Sequence, residues 1–197
     1  DRNLSIITIL QKTEFHTKYD EFRTQGIVVQ FTGKTISEIP DFSDTSGDIC
    51  LILLDQITDP QNLGQIIRTS ECAGINGIVL PENHSVGLTD SVLQVSQGAF
   101  VHQPIYRCGN VHQTLIKLKD QGFWVIGVEN SINAKPWYEI DYSGKVVIIV
   151  GSEGKGIRSL VLKTCDFLAT IPMRGKVNSL NVTAAVSAIL FERNRQL

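Results

Sequence analysis

The sequence has no CxxC pair: its four cysteines, Cys50, Cys72, Cys108 and Cys165, are widely spaced. That spacing argues against a disulfide framework or a zinc ribbon and fits a reducing compartment. Its four histidines, His16, His84, His102 and His112, show no HxxxH spacing, so no metal site is expected. No apolar run approaches the roughly 18 residues that a membrane span requires. Basic excess is missing too: the net charge is −2 and the pI about 6.1. A nucleic-acid site, if there is one, must therefore be a local patch rather than a basic domain. Repeats and low-complexity tracts are also lacking. Because the chain begins at Asp1 rather than methionine, it is expected to be a fragment of a longer one.

What is present is enough for a core. Hydrophobic residues make up 42% of the 197 positions and charged residues 19%, ordinary values for a globular chain. Residues 1–47 differ from the rest. They contain a short apolar stretch from Leu4 to Leu10, the strand-like "GIVVQF", and a connection, "SEIPDFSDTSGD" (37–48), rich in acids, serine and proline. From residue 49 the pattern alternates. "ICLILL", "GIVL", "HQPIY", "FWVIGV", "KVVIIV" and "FLATIPM" are predicted extended. "DPQNLGQIIRTSECAG", "TDSVLQVSQGA", "NVHQTLIKLKDQG", "GIRSLVLKTC" and "SLNVTAAVSAILFERNRQ" are predicted helical. Continuous apolar strands alternating with helices predict an α/β fold, a parallel sheet covered on both faces. In such sheets ligands bind at the carboxyl ends of strands, so the loops after residues 54, 150 and 172 carry the information.

Two nucleotide motifs fail. "GKT" at 33–35 would need a glycine at position 28 for a phosphate loop, and that position is Val28. The loop "VGSEGKGI" has glycines at 151, 154 and 156, the reverse of the dinucleotide order. It remains either a plain strand-to-helix turn or a ligand cradle.

Three loops have polar tips. In the first, Asn62 opens a helix whose buried stripe is Leu63, Ile66, Ile67 and Ser70, leaving Arg68 at the stripe's edge. In the second, Glu153 stands between glycines. In the third, Ser179 is predicted to cap the last helix, with Asn181 inside its first turn and Arg174 and Lys176 just upstream. Taken singly, each has a bland explanation: a surface arginine, a carboxylate paired with a helix dipole, a plain cap. Together they put matching chemistry at the carboxyl ends of three strands, where helix N-termini offer free N–H groups and two cations could meet phosphates.

These three segments carry a resemblance. "NLGQIIR", "IIVGSEGKGI" and "IPMRGKVNSLNVTAAVSAILFE" resemble, in order, the three motifs of the SpoU/TrmH family of RNA ribose 2′-O-methyltransferases, within the SPOUT superfamily. The resemblance covers roughly 48–193. "QVSQGA" (94–99) and "TQGIVVQF" further resemble the branch that methylates a guanosine in large-subunit ribosomal RNA; Thr24 stands where that branch has histidine.

The resemblance implies a deep C-terminal trefoil knot, an exception to the unknotted rule. It implies a knotted domain over 48–197, preceded over 1–47 by a remnant of a small α+β RNA-binding domain. It further implies S-adenosylmethionine as cofactor, contacted by Gly151, Gly156, Ile171, Met173 and Leu180. Asn62, Arg68, Glu153, Ser179 and Asn181 would form the catalytic set, and Arg174 and Lys176 would touch RNA. The expected partners are RNA, ribosomal in preference to transfer RNA, and a second copy of the chain in a homodimer. The expected location is the cytoplasm, or an organelle of bacterial origin. Two rivals remain: an RNA-binding module that kept the fold without the chemistry, and a different nucleotide-binding enzyme built on the glycine-rich loop.

Overall fold

The computed structural model describes residues 7–20, 24, 26–30, 35–152 and 154–197, in two compact units, 1–34 and 35–197. The smaller unit carries one described helix, α1 (Lys12–Lys18), none of whose residues is buried. "GIVVQF" forms no strand over its described residues 26–30; Phe31 and part of the Leu4–Leu10 stretch lie outside the described residues. The larger unit starts at Thr35, ahead of the expected 47/48 boundary, because β1 (Ser37–Glu38) already pairs with the main sheet.

That sheet contains, after β1, β2 (Ile49–Asp55), β3 (Gly77–Pro81), β4 (Ile105–Cys108), β5 (Trp124–Val128), β6 (Lys135–Pro136), β7 (Lys145–Gly151) and β8 (Phe167–Thr170). Its order is β1-β4-β3-β2-β7-β5-β8-β6, and every pairing is parallel. The helices are α2 (Pro60–Cys72), α3 (Asp90–Val95), α4 (Val111–Asp120), α5 (Ser159–Leu162) and α6 (Val182–Gln196).

The unbroken apolar run of β2 explains the layering. All seven of its residues are buried, and successive side chains take opposite faces. Cys50, Ile52 and Leu54 join the core beneath α2 and α6; Ile49, Leu51 and Leu53 join the core beneath α4 and α5. The stripe predicted for α2 is the buried one, with Leu63, Ile66 and Ile67 fully enclosed, each contributing about 1.5–3 kcal/mol. Asp59 caps this helix, accepting from the Gln61 N–H at 2.9 Å, and Pro60 occupies its first position.

Three helices differ from the sequence reading. The predicted helix over 89–99 stops at Val95, because Gln97 and Gly98 both adopt positive φ. "GIRSLVLKTC" gives only the single turn α5, because Arg158 is held extended by Asp55. The last helix starts at Val182, and its cap is Asn181 rather than Ser179. The Asn181 Oδ1 accepts from the Thr183 N–H at 2.8 Å, as an N-cap amide does for the second helical residue.

Strands β3 and β4 lie on one side of β2, and β7, β5 and β8 on the other. The reversal of direction falls between β2 and β7, and their carboxyl ends flank a topological switch point. Among the described residues no helix is long and apolar enough to cross a membrane.

Burial also sets cysteine chemistry. It pushes the Cys50 and Cys165 thiols up to about 12 and Cys108 up to about 11, whereas Cys72 is exposed. Since only the thiolate alkylates readily, iodoacetamide at pH 8 is expected to modify Cys72 first. The other three should react at the rate of unfolding, as read by peptide mass spectrometry.

Candidate active site at the carboxyl edge of the sheet

A cavity of about 530 Å³ opens at the switch point, within the roughly 300–1,000 Å³ typical of small-molecule sites. Strand ends and the returning chain build it: Val128 and Glu129 at the end of β5, Val150 to Ser152 with Gly154 and Gly156 at the end of β7, Thr170, Ile171 and Met173 at the end of β8, and Asn178 to Val182 with Ala185 at the start of α6. Val128, Val150, Ile171, Met173, Leu180 and Val182 supply apolar wall. Glu129 is the one ionisable side chain among the described lining residues.

The glycines of the β7 loop have separate duties. A Cβ on Gly151 would overlap the carbonyl group of Gly156, so this glycine lets the loop fold back over the strand end. The same contact is recorded by the antiparallel bridge between Ser152 and Gly156, whose N–H donates to the Ser152 carbonyl at 2.9 Å. Gly156 has φ +66°, and a Cβ there would sit 2.8 Å from the Glu129 Oε2. Both glycines thus serve the loop's own packing, where the sequence suggested approach to a ligand. Gly154, with φ +80°, faces open space.

A buried ion pair locks the far end of the loop. Asp55, wholly buried at the tip of β2, accepts from the Arg158 N–H at 3.0 Å and from its Nε at 2.9 Å, and its Oδ1 pairs with the guanidinium Nη2 at 2.6 Å. The backbone bond and the paired guanidinium compensate the carboxylate's desolvation. The arginine, 43% exposed, keeps part of its hydration. Neither residue was singled out from sequence, although an aspartate ending an otherwise apolar buried strand was the available signal. Glu129 directly follows β5.

The cavity rim carries the polar pair. The Asn181 Nδ2 donates to the Asn62 Oδ1 at 3.1 Å, joining the N-termini of α6 and α2. The Asn181 Oδ1 also accepts from the Thr183 Oγ1. Ser179 and Asn181 line the cavity together with all five residues expected at a cofactor: Gly151, Gly156, Ile171, Met173 and Leu180. Arg174 and Lys176 are exposed in the connection between Met173 and Asn178 and do not line it. Glu153 lies outside the described residues.

Arg68 stands apart. It is exposed and lines a second, shallower depression of about 340 Å³ with Glu71, Cys72, Gln97 and His102. Six residues beyond Asn62 on one helix, it is rotated about 240° and displaced about 9 Å along the axis. Asn62 and Arg68 therefore face different directions.

Comparison with known proteins places the chain in a family. The sequence pattern of the SpoU rRNA Methylase family matches residues 50–191. A protein of Bacillus subtilis (strain 168) named as a TrmH family tRNA/rRNA methyltransferase is 37% identical over 176 residues, 87% of this chain and 70% of the relative. A Staphylococcus aureus (strain COL) protein of the same description is 41% identical over 149 residues, 76% of this chain and 60% of its own. The chain thus spans about 60–70% of the length of these relatives. Among solved structures, an AdoMet-bound rRNA methyltransferase from Sinorhizobium meliloti superposes with a TM-score of 0.73 at 29% identity, covering 80% of this chain and 61% of that one. With the family pattern spanning most of the chain and both relatives well above 30% identity, this chain belongs to the SpoU rRNA methylase family.

Proposed function

We propose that the chain transfers a methyl group from S-adenosylmethionine to a ribose 2′-hydroxyl of RNA, with a guanosine of large-subunit ribosomal RNA as the favoured target. The observation that carries this reading is the cavity at the switch point, with the Asn62–Asn181 pair on its rim. Its apolar walls suit an adenine ring, and the exposed backbone of the β7 loop offers the polar groups a nucleoside needs. The residues present fit the cofactor. Gly151, Gly156, Ile171, Met173 and Leu180 would hold it, and when bound it supplies an electrophilic methyl group on sulfur.

The chain's own residues then have to bring the ribose oxygen to that methyl, and positioning alone is worth several kcal/mol. Ser179 and Asn181 orient the ribose at the start of α6, with Asn62 fixing the Asn181 amide. Arg68 binds the neighbouring phosphate and stabilises the alkoxide as it forms. A guanidinium with a pKa above about 12 is a poor base, so the hydroxyl proton passes to phosphate or water. Glu153 orients the arginine and the ribose.

Because Arg68 faces away from the cavity of its own chain, a homodimer in which a second copy supplies this arginine accounts for its placement best. The return of the chain from β8 across the β7 loop to α6 is the segment that would form the trefoil knot. Residues 1–47 would belong to an amino-terminal RNA-binding domain and its linker, and Arg174 and Lys176 would make further contacts to RNA. Transfer RNA is the alternative substrate, since the relatives bear tRNA/rRNA names.

Incubation with methyl-labelled S-adenosylmethionine and unmodified ribosomal or transfer RNA, followed by digestion to nucleosides, tests the reading. Label in 2′-O-methylguanosine from ribosomal RNA is expected. Label only on a base, or none from either RNA, refutes it.

A further inference from the structure

Glu129 has no role in the account so far. It follows directly on β5, where its N–H donates to the Ala169 carbonyl at 3.0 Å and fixes its backbone beside β8. Its carboxylate lies against Gly156, and its Oε2 accepts from the Ile157 N–H at 3.3 Å, a long bond. Among the described residues that N–H is the sole hydrogen-bond donor to the carboxylate, and no cation pairs with it. A carboxylate with one long donor bond has acceptor capacity to spare. The bond from Ile157 ties it to the β7 loop, and the missing side chain of Gly156 leaves the room it occupies at the cavity wall. The arrangement is that of an acceptor kept ready for donors brought by a ligand.

We infer that Glu129 is a cofactor-binding residue that recognises the vicinal 2′- and 3′-hydroxyls of the adenosine ribose. A carboxylate presents two oxygens side by side, matching two adjacent hydroxyl donors, the solution dinucleotide-binding folds use for a ribose. The other donor on the same cofactor is the methionyl ammonium. Placing it at Glu129 would bring the methionyl carboxylate, on the same carbon, towards a second carboxylate. No cation among the described lining residues would offset that repulsion. The diol carries no such penalty. The sheet order agrees: Glu129 follows β5 and Asn62 follows β2, with β7 between them. At about 4.8 Å per strand, this leaves the ribose at one end of the site and the reacting methyl at the Asn62–Asn181 end.

The inference rests on the cofactor reading above, and binding measurements separate the two. Calorimetry would compare wild type, Glu129→Gln and Glu129→Ala with S-adenosylhomocysteine, its 2′-deoxy and 3′-deoxy analogues, and 5′-methylthioadenosine, which lacks the amino-acid head. Glu129→Gln keeps an acceptor for the Ile157 N–H, so the loop remains braced. Wild type is expected to bind the deoxy analogues about 10- to 100-fold more weakly than S-adenosylhomocysteine, the loss of a charge-assisted hydrogen bond. Both variants should weaken S-adenosylhomocysteine and methylthioadenosine by a similar factor and discriminate against the deoxy analogues by less than about two-fold. Undiminished discrimination in the variants overturns the inference, because Glu129 would then act only on the loop. So does a loss that vanishes with methylthioadenosine, because the carboxylate would then meet the ammonium. Wild-type protein that binds none of the four would sink the cofactor reading and this inference with it.

Discussion

Arg68→Ala is expected to lower the rate of methyl transfer by about 10²- to 10³-fold, the usual cost of removing a preorganised group from a developing oxyanion. Affinity for S-adenosylhomocysteine should stay within about two-fold. The split follows from geometry: Arg68 is exposed and lies outside the residues lining the cavity, so its removal leaves the cofactor's contacts untouched. Its stability cost should be small, because it is not part of the buried stripe of α2. Arg68→Lys sharpens the test. A lysine keeps the charge but loses the planar fork that grips phosphate through two donors, so most of the rate loss should persist. An unchanged rate and pH profile in Arg68→Lys would show that guanidinium geometry has no special part. Equal losses of rate and cofactor affinity in Arg68→Ala would show that the arginine belongs to the cofactor cavity after all.

Gly151→Val should abolish cofactor binding, with a loss of more than about 100-fold, or roughly 3 kcal/mol. Gly151 is the last residue of β7, paired in register with Asp55, and the space a Cβ would occupy is already filled by the Gly156 carbonyl. A valine therefore pushes the loop off the strand end and opens the cavity wall formed by Gly151 to Gly156. Neither strand can shift in compensation, since Asp55 is wholly buried and bound to Arg158. Overpacking of this kind costs about 1–3 kcal/mol of stability, so the fold is expected to persist with a lowered melting temperature. Gly154→Ala is the control. With nothing within 4 Å of the added carbon, it should cost the strain of a positive φ and weaken binding far less than Gly151→Val, although Gly154 also lines the cavity. Equal effects at the two positions would mean that the loop tolerates displacement and that the close approach at Gly151 is incidental.

Much of this site could be seen in the sequence because strands and helix stripes announce themselves by period. The run "ICLILL" required burial on both faces, and Leu63, Ile66, Ile67 and Ser70 defined the inward side of α2; both are as expected. The three loops followed from the strand ends. Local helix boundaries were less visible, because tertiary contacts decide them. Asn181 rather than Ser179 caps α6, a choice linked to the bond from its amide to Asn62, a residue 119 positions away. The shortness of α5 depends on Asp55, 103 positions before Arg158. The duties of Gly151 and Gly156 required knowing that the loop folds back on its own strand. Asp55 and Glu129 escaped notice because a carboxylate closing an apolar strand reads as ordinary polar punctuation until its surroundings are known. The two-residue strands β1 and β6 are too short to show a period at all.

Everything proposed for this chain depends on the cavity at the end of β7 holding S-adenosylmethionine. Calorimetric titration of the folded chain with S-adenosylhomocysteine, with NAD and ATP as controls, tests it without any RNA. Saturable binding of one molecule per chain is expected, with no heat from either control. Folded protein that binds NAD or ATP but not S-adenosylhomocysteine would contradict it and point to a different nucleotide enzyme; binding of none of the three would leave an RNA-binding module on a methyltransferase scaffold.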